Sequence, residues 1–224
     1  MFLVKYNIFY YYYNYITMVS CYRLGDLVML NNLNGDEENE ILRDYPNSIG
    51  SKYILKKRNN YGNNIDIHSG KNVDIITEIV LEHIEQNLDF LPKDISDSTL
   101  IHLRLGDVIA GNQWHEQAKR PLDIDYLKSL FINNNDKKYV IGKCFFAKTS
   151  STNYEECINL SNIYLQNVIN ELQAEHLNFG NADIELCCAV KSKLFIEGKG
   201  FFSKLIAEIR KKLNSYSIET TPHN

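Results

Sequence analysis

The segment Ile101-His102-Leu103-Arg104-Leu105-Gly106-Asp107 joins a β-prone apolar run to charge and glycine. Ser98 to Leu105 alternates as a strand does, so Arg104, Gly106 and Asp107 fall at the strand's carboxyl end. In open α/β sheets, ligands bind at that end of the strands. An arginine there suits a phosphate, because its planar fork holds two oxygens at once. The plainer reading is a surface pair between Arg104 and Asp107. These residues alone leave both open.

A second candidate is Leu194-Phe195-Ile196-Glu197-Gly198-Lys199-Gly200-Phe201-Phe202-Ser203. Strand, glycine turn and then serine at a helix start present unpaired backbone N–H groups to an anion. Gly198 and Gly200 let the backbone approach a phosphate, Lys199 adds charge, and Ser203 offers a hydroxyl. The spacing matches neither GxGxxG nor a P-loop, and a capped helix after a tight turn remains the alternative. Upstream, Gly180-Asn181-Ala182-Asp183 opens another helix. Asp183 is either its N-terminal cap or an acceptor for a donor-rich base edge such as guanine. Following Asp107, Trp114-His115-Glu116 offers an aromatic platform for a sugar or base, with His115 or Glu116 as general base. An ordinary polar surface loop has the same composition. The remaining histidines, His68, His83, His176 and His223, are scattered, so no metal cluster is expected.

These residues need elements to place them. Ile16 to Leu30 reads as a strand and turn around Arg23-Leu24-Gly25-Asp26, which repeats the Arg104–Asp107 tetrapeptide without a wider duplication. Asn31 to Asn39 reads as a loop, and Tyr45 to Ser48 as a turn opening a helix through Tyr53 to Lys57. A second loop, Asn59 to Gly70, precedes an amphipathic helix from Asn72 to Leu88, with Ile76, Val80, Ile84 and Leu88 on one face. Leu91-Pro92 to Asp97 punctuates the chain. Beyond it, strand and helix alternate: a strand over 99–105, a long loop over 107–121, a helix over 124–131 and a strand over 138–147. A capping box of Thr152 and Glu155 opens the next helix, which carries Ile158, Leu165, Val168 and Leu172. A helix over 182–190, a strand over 193–196 and a helix over 202–213 complete the pattern. Such alternation implies a parallel sheet with right-handed crossovers. The expected organisation is a low-complexity extension over 1–17, a small α/β portion over 18–98 and a Rossmann-like portion over 99–215.

Composition narrows the function classes. With 224 residues, 44% of them hydrophobic, the chain can bury a sizeable core. A net charge of -4 supplies no cationic excess for nucleic acid, and none is expected as a partner. Arg210-Lys211-Lys212 reads as the solvated last turn of a helix, where cations suit the dipole. Five cysteines without CxxC spacing support neither zinc nor a disulfide framework. Cys187 and Cys188 read as buried hydrophobes in a reducing, cytoplasmic compartment. The Tyr-Asn-rich run of Met1 to Tyr15 is polar and lacks a small-residue cleavage site. No membrane anchor is expected, and Met18 is an alternative start. The sequon Asn159-Leu160-Ser161 is discounted because it falls on a helix.

In their order along the chain, these pieces resemble the fucosyltransferase-type GT-B glycosyltransferases. The resemblance rests on the His102-Leu103-Arg104-Leu105-Gly106-Asp107 strand end, the Asp183-led helix, and the glycine turn with Phe202-Ser203. It spans about residues 99 to 213. That group includes α1,2-, α1,6- and protein O-fucosyltransferases and virus-encoded relatives. The resemblance implies an α/β fold with a Rossmann-like, GT-B-type nucleotide-sugar-binding half. It also implies a GDP-sugar donor, usually GDP-fucose, a glycan or protein acceptor, inversion, and no cofactor or metal. Arg104 would then lie on the donor pyrophosphate and stabilise charge on the departing GDP. His102 and Asp183 would meet the guanine, while Ser203 and the Gly200–Phe202 backbone would hold phosphate oxygens. Many relatives carry two adjacent arginines where this chain has Arg104-Leu105, and the N-terminal portion is short for an acceptor-binding domain. A non-catalytic descendant that binds a nucleotide sugar or glycan is the second expectation, and an unrelated Rossmann-like nucleotide-binding protein the third.

Overall fold

A computed structural model describes residues 35–60, 70–106, 108–109, 121–132, 135–145, 154–198, 200–215 and 217–218. The chain divides into two units. Unit one draws on Met1–Leu91 and Phe179–Cys187, and unit two on Pro92–Asn178 and Cys188–Asn224.

Among the described residues, the first stretch of unit one is helical: α1 (Gly35–Asp44), α2 (Ile49–Asn60) and α3 (Gly70–Gln86). Helix α1 begins inside the segment read above as a loop. Acidic residues open it and Arg43 lies in its last turn, as the helix dipole favours. Ile41 is buried, and Glu38 Oε1 and Oε2 meet Lys57 Nζ at 3.2 Å and Arg58 Nη2 at 3.0 Å on α2. A polar, acidic sequence was therefore compatible with a helix once α2 supplied the cations. On α3, Ile76, Ile79, Val80 and Ile84 form the buried stripe. Leu88 lies beyond the helix and is exposed, which corrects its place on that stripe. The Asn87 amide donates to the His83 carbonyl at 2.7 Å where the helix ends.

Unit two is built on a wholly parallel sheet. Its strands are β1 (Thr99–His102), β3 (Lys138–Ile141), β5 (Glu175–His176), β6 (Leu194–Ile196) and β7 (Ser217–Ile218), in the spatial order β5-β3-β1-β6-β7. A separate parallel pair joins β2 (Leu105–Gly106) to β4 (Cys144–Phe145). The two long strands expected from sequence are thus each interrupted. Leu103 N–H donates to the Ile141 carbonyl at 2.8 Å, and the pairing resumes as β2 with β4. Helices α4 (Ile124–Ser129) and α5 (Tyr154–Leu172) fall between the strands, as does α7 (Phe201–Lys212). Helix α6 (Ala182–Lys191) also precedes β6, and the division between the units falls within it, after Cys187. Central β1 is buried at all four positions, as a strand covered on both faces must be. Ile101, Leu103, Leu105, Val140, Val168 and Ile196 belong to one core cluster. Cys187 and Cys188 are fully buried. The fold is therefore α/β with a Rossmann-like parallel sheet. Among the described residues, no helix is long and apolar enough to cross a membrane.

Arg210 departs from expectation. It is fully buried, and its guanidinium does not face water. Nη1 donates to the carbonyls of Ala189, Val190 and Ser192 at 2.8, 3.0 and 2.7 Å, and Nη2 to that of Lys193 at 3.2 Å. Nε donates to Ser217 Oγ at 3.1 Å on β7. The carbonyls at the end of a helix lack partners within it, and one planar fork collects them here. Burial pushes the Arg210 pKa down to about 10.

Two outcomes follow from these interactions. His83 of α3 is 6% exposed, and Lys52 Nζ stands 3.4 Å from its Nδ1. Burial first, and the Lys52 charge second, push its pKa from 6.5 down to about 4. Between those values the unfolded chain binds a proton that the folded chain does not. Stability is then whole above the unfolded value and is lost as pH falls toward the folded one. Urea titrations from about pH 7 to about pH 4 should show a slope of up to about 1.4 kcal/mol per pH unit from this group, which His83→Leu flattens. Arg210→Lys retains charge but loses the fork, and denaturant titration should register a loss of about 2 kcal/mol or more.

Candidate functional site

The order of strands places the two sequence motifs side by side. From β1 the chain proceeds to β3 and β5 on one side, then returns to β6 and β7 on the other. Taken in chain order within this sheet, the strands lie third, second, first, fourth, fifth, as in the first five strands of a doubly wound fold. The direction reverses between β1 and β6, and ligands of such sheets bind beyond the strand ends at that reversal. His102 is the last residue of β1, and Gly198 follows shortly after the end of β6.

Contact between the two motifs is close. A Cβ added at Gly198 would collide with the carbonyl oxygen of His102. Only a residue without a side chain lets the β6–α7 turn lie against the end of β1. One turn onward, Ser203 Oγ and His102 Nδ1 share a hydrogen bond of 2.6 Å, with Ser203 fully buried. The Phe202 ring meets the His102 ring edge-on, with centroids 5.3 Å apart. His102 itself is 7% exposed.

Arg104 reaches the start of α7. Gly200 is the residue that precedes this helix, at φ +126, and it contributes no side-chain cap. A Cβ at Gly200 would stand 2.8 Å from Arg104 Nη1. The guanidinium therefore sits at the helix N-terminus, where backbone N–H groups lack helical partners and the dipole is positive. Two positive features brought together favour an anion between them. A third support comes from α5. Ser161, fully buried, accepts a 2.9 Å hydrogen bond from Gly106 N–H and holds the strand that follows Arg104. From sequence, Ser161 stands out only as part of the Asn159–Ser161 sequon. The available signal was a serine among the apolar positions of that helix.

The remaining candidates divide as follows. Gly106 has a φ of +88 and lies in β2, and Leu105 is buried in the core beside it. Asp183 belongs to unit one, is buried, and accepts Ile49 N–H on Oδ2 at 2.9 Å at the start of α2. The cap of α6 is instead Asn181, whose Oδ1 accepts Asp183 N–H at 2.9 Å. Of the two roles weighed for Asp183, capping its own helix is thereby corrected, because Asn181 occupies that position. Asp107, Trp114, His115, Glu116 and Lys199 lie outside the described residues, as do Thr152 and the Arg23–Asp26 repeat. Among the described residues, no three His, Cys, Asp or Glu side chains cluster as metal ligands.

No protein-family model matches the chain, and no curated protein matches it. Solved structures similar to it include POFUT1, a protein O-fucosyltransferase, in its apo form, at 13% identity and a TM-score of 0.39. That match covers 66% of this chain and 49% of the other. A complex of POFUT1 with GDP-fucose matches at 12% identity and 0.39, over 66% and 50%. In a second crystal form of that complex the values are 12%, 0.37, 64% and 46%. The chain thus spans about half the length of these structures.

The packing of Gly198 generates its own test. Gly198→Ala must displace backbone at the end of β1, so thermal denaturation should show a loss of about 2 kcal/mol or more. Gly200→Ala meets the movable end of Arg104 and also strains the backbone at φ +126, so it should displace the arginine and lower stability by about 1–3 kcal/mol.

Proposed function

We propose that unit two binds the diphosphate of a nucleotide sugar between Arg104 and the N-terminus of α7, and that the protein is a glycosyltransferase. The single observation that carries this reading is the Arg104 guanidinium beside Gly200, at the point where the sheet reverses. In that position Arg104 neutralises two phosphate oxygens, and the N–H groups of the first helical turn meet others. The resemblance of the ordered motifs favours a GDP-sugar, GDP-fucose first, with a glycan or protein acceptor. During transfer with inversion, the acceptor oxygen forms a bond to the sugar's anomeric carbon as the carbon–oxygen bond to phosphate breaks. The bond electrons leave with GDP, where Arg104 stabilises them, and the acceptor proton passes to His115 or Glu116. This reading invokes no metal or cofactor.

One observation favours a second reading, a descendant that binds nucleotide sugar without turnover. Leu105 occupies the place of a second arginine and is 2% exposed within the core, so a single guanidinium serves the phosphates.

Calorimetry with GDP, UDP, ADP and their sugars separates these readings. GDP should bind, and Arg104→Ala should weaken it at least tenfold, since a charge-assisted hydrogen bond contributes about 1.5–3 kcal/mol. Equal indifference to all three nucleotides would sink both readings. GDP binding without consumption of GDP-fucose, in mixed acceptors or water, would select the second.

A further inference from the structure

We propose that Ser161 is a positioning residue for the diphosphate site: by holding Gly106 N–H from α5, its hydroxyl fixes where Arg104 enters the corner at Gly200. The proposal rests on the nucleotide-sugar reading for its ligand, but not for its geometry.

Hydrogen bonding along this segment changes partners within a few residues. Leu103 N–H donates to the Ile141 carbonyl on β3, and the chain then pairs as β2 with β4. Leu103 and Leu105 are both buried in the core cluster. Side chains alternate along an extended chain, so Arg104 projects from the opposite face, where Gly200 meets it. At Gly106 φ reaches +88, a conformation that glycine adopts freely, and β2 ends there. Gly106 is buried, so its N–H must find a partner inside the protein. Ser161 Oγ, 2.9 Å away and itself fully buried, accepts it. Without that oxygen a buried donor is unsatisfied, and the backbone recovers a partner only by moving. Arg104 lies two residues upstream, so such a movement carries its guanidinium away from the helix terminus. The start of α7 stays where Gly198 packs it against β1. A diphosphate that requires both cationic features together then loses one of them. Ser161 touches no ligand atom in this scheme and acts through Arg104.

A double-mutant cycle on GDP affinity, measured by calorimetry, separates positioning from plain destabilisation. With Arg104 present, Ser161→Ala should weaken GDP about tenfold, the equivalent of one charge-assisted hydrogen bond. In the Arg104→Ala background the same substitution should change affinity by less than about twofold. An equal loss in both backgrounds, or no loss in either, overturns the proposal. Should Ser161→Ala fail to fold, Ser161→Cys keeps the site filled with a weak sulfur acceptor and enters the same cycle under the same criteria. Proton–nitrogen spectra of the ligand-free protein supply a second readout. The Arg104 Nε–H resonance should shift in the Ser161 variant, and an unchanged resonance overturns the proposal. Should the wild-type protein bind no GDP, the nucleotide reading falls while that resonance still decides the role of Ser161.

Discussion

The contact between Gly198 and the His102 carbonyl sets the geometry of everything around it. Two parallel strands, β1 and β6, end side by side, and the turn after β6 must pass over the end of β1. Because no Cβ intervenes, the turn lies close enough for α7 to start against the histidine. Ser203 and Phe202 then engage the imidazole from the first turn of that helix. Arg104, two residues beyond the strand, reaches the same helix terminus. A larger residue at 198 would separate the two motifs and dissolve the cationic corner between them.

That corner is held from both sides by buried polar contacts. Ser161 anchors Gly106 to α5, and Ser203 anchors His102 to α7. Buried hydroxyls of this kind are satisfied locally, and each fixes a neighbour's direction more than it adds net stability. Arg104 thus projects from a backbone pinned just before and just after it. Preorganisation of this sort suits the anion site proposed above, since little rearrangement would be needed on binding.

Much of this was legible in the sequence. The period-based helices over 72–88, 124–131, 182–190 and 202–213 all match observed helices to within a few residues. The parallel sheet followed from the alternation of strand and helix. The pairing of His102 with Ser203 was not legible, because it depends on which strand lies next to β1, and local pattern does not specify neighbours. Glu38 shows a related limit: an acidic stretch looks like a loop until the cations of α2 are placed beside it. Arg210 failed for the opposite reason. A basic run at a helix end has a ready explanation in solvent and dipole, whereas its fork is turned inward to carbonyls that sequence spacing cannot locate.

Arg210 also bears on how this chain tolerates change. Only six of its 24 basic residues are arginines, so lysine is the ordinary way this sequence carries positive charge. On an exposed face the two residues exchange almost freely. At 210 they do not, because a single ammonium cannot reach carbonyls of Ala189, Val190, Ser192 and Lys193 and the Ser217 hydroxyl together. Arginine at this position is therefore fixed by geometry and not by charge. One side chain thereby ties the end of α6, the start of β6 and the edge strand β7 to α7.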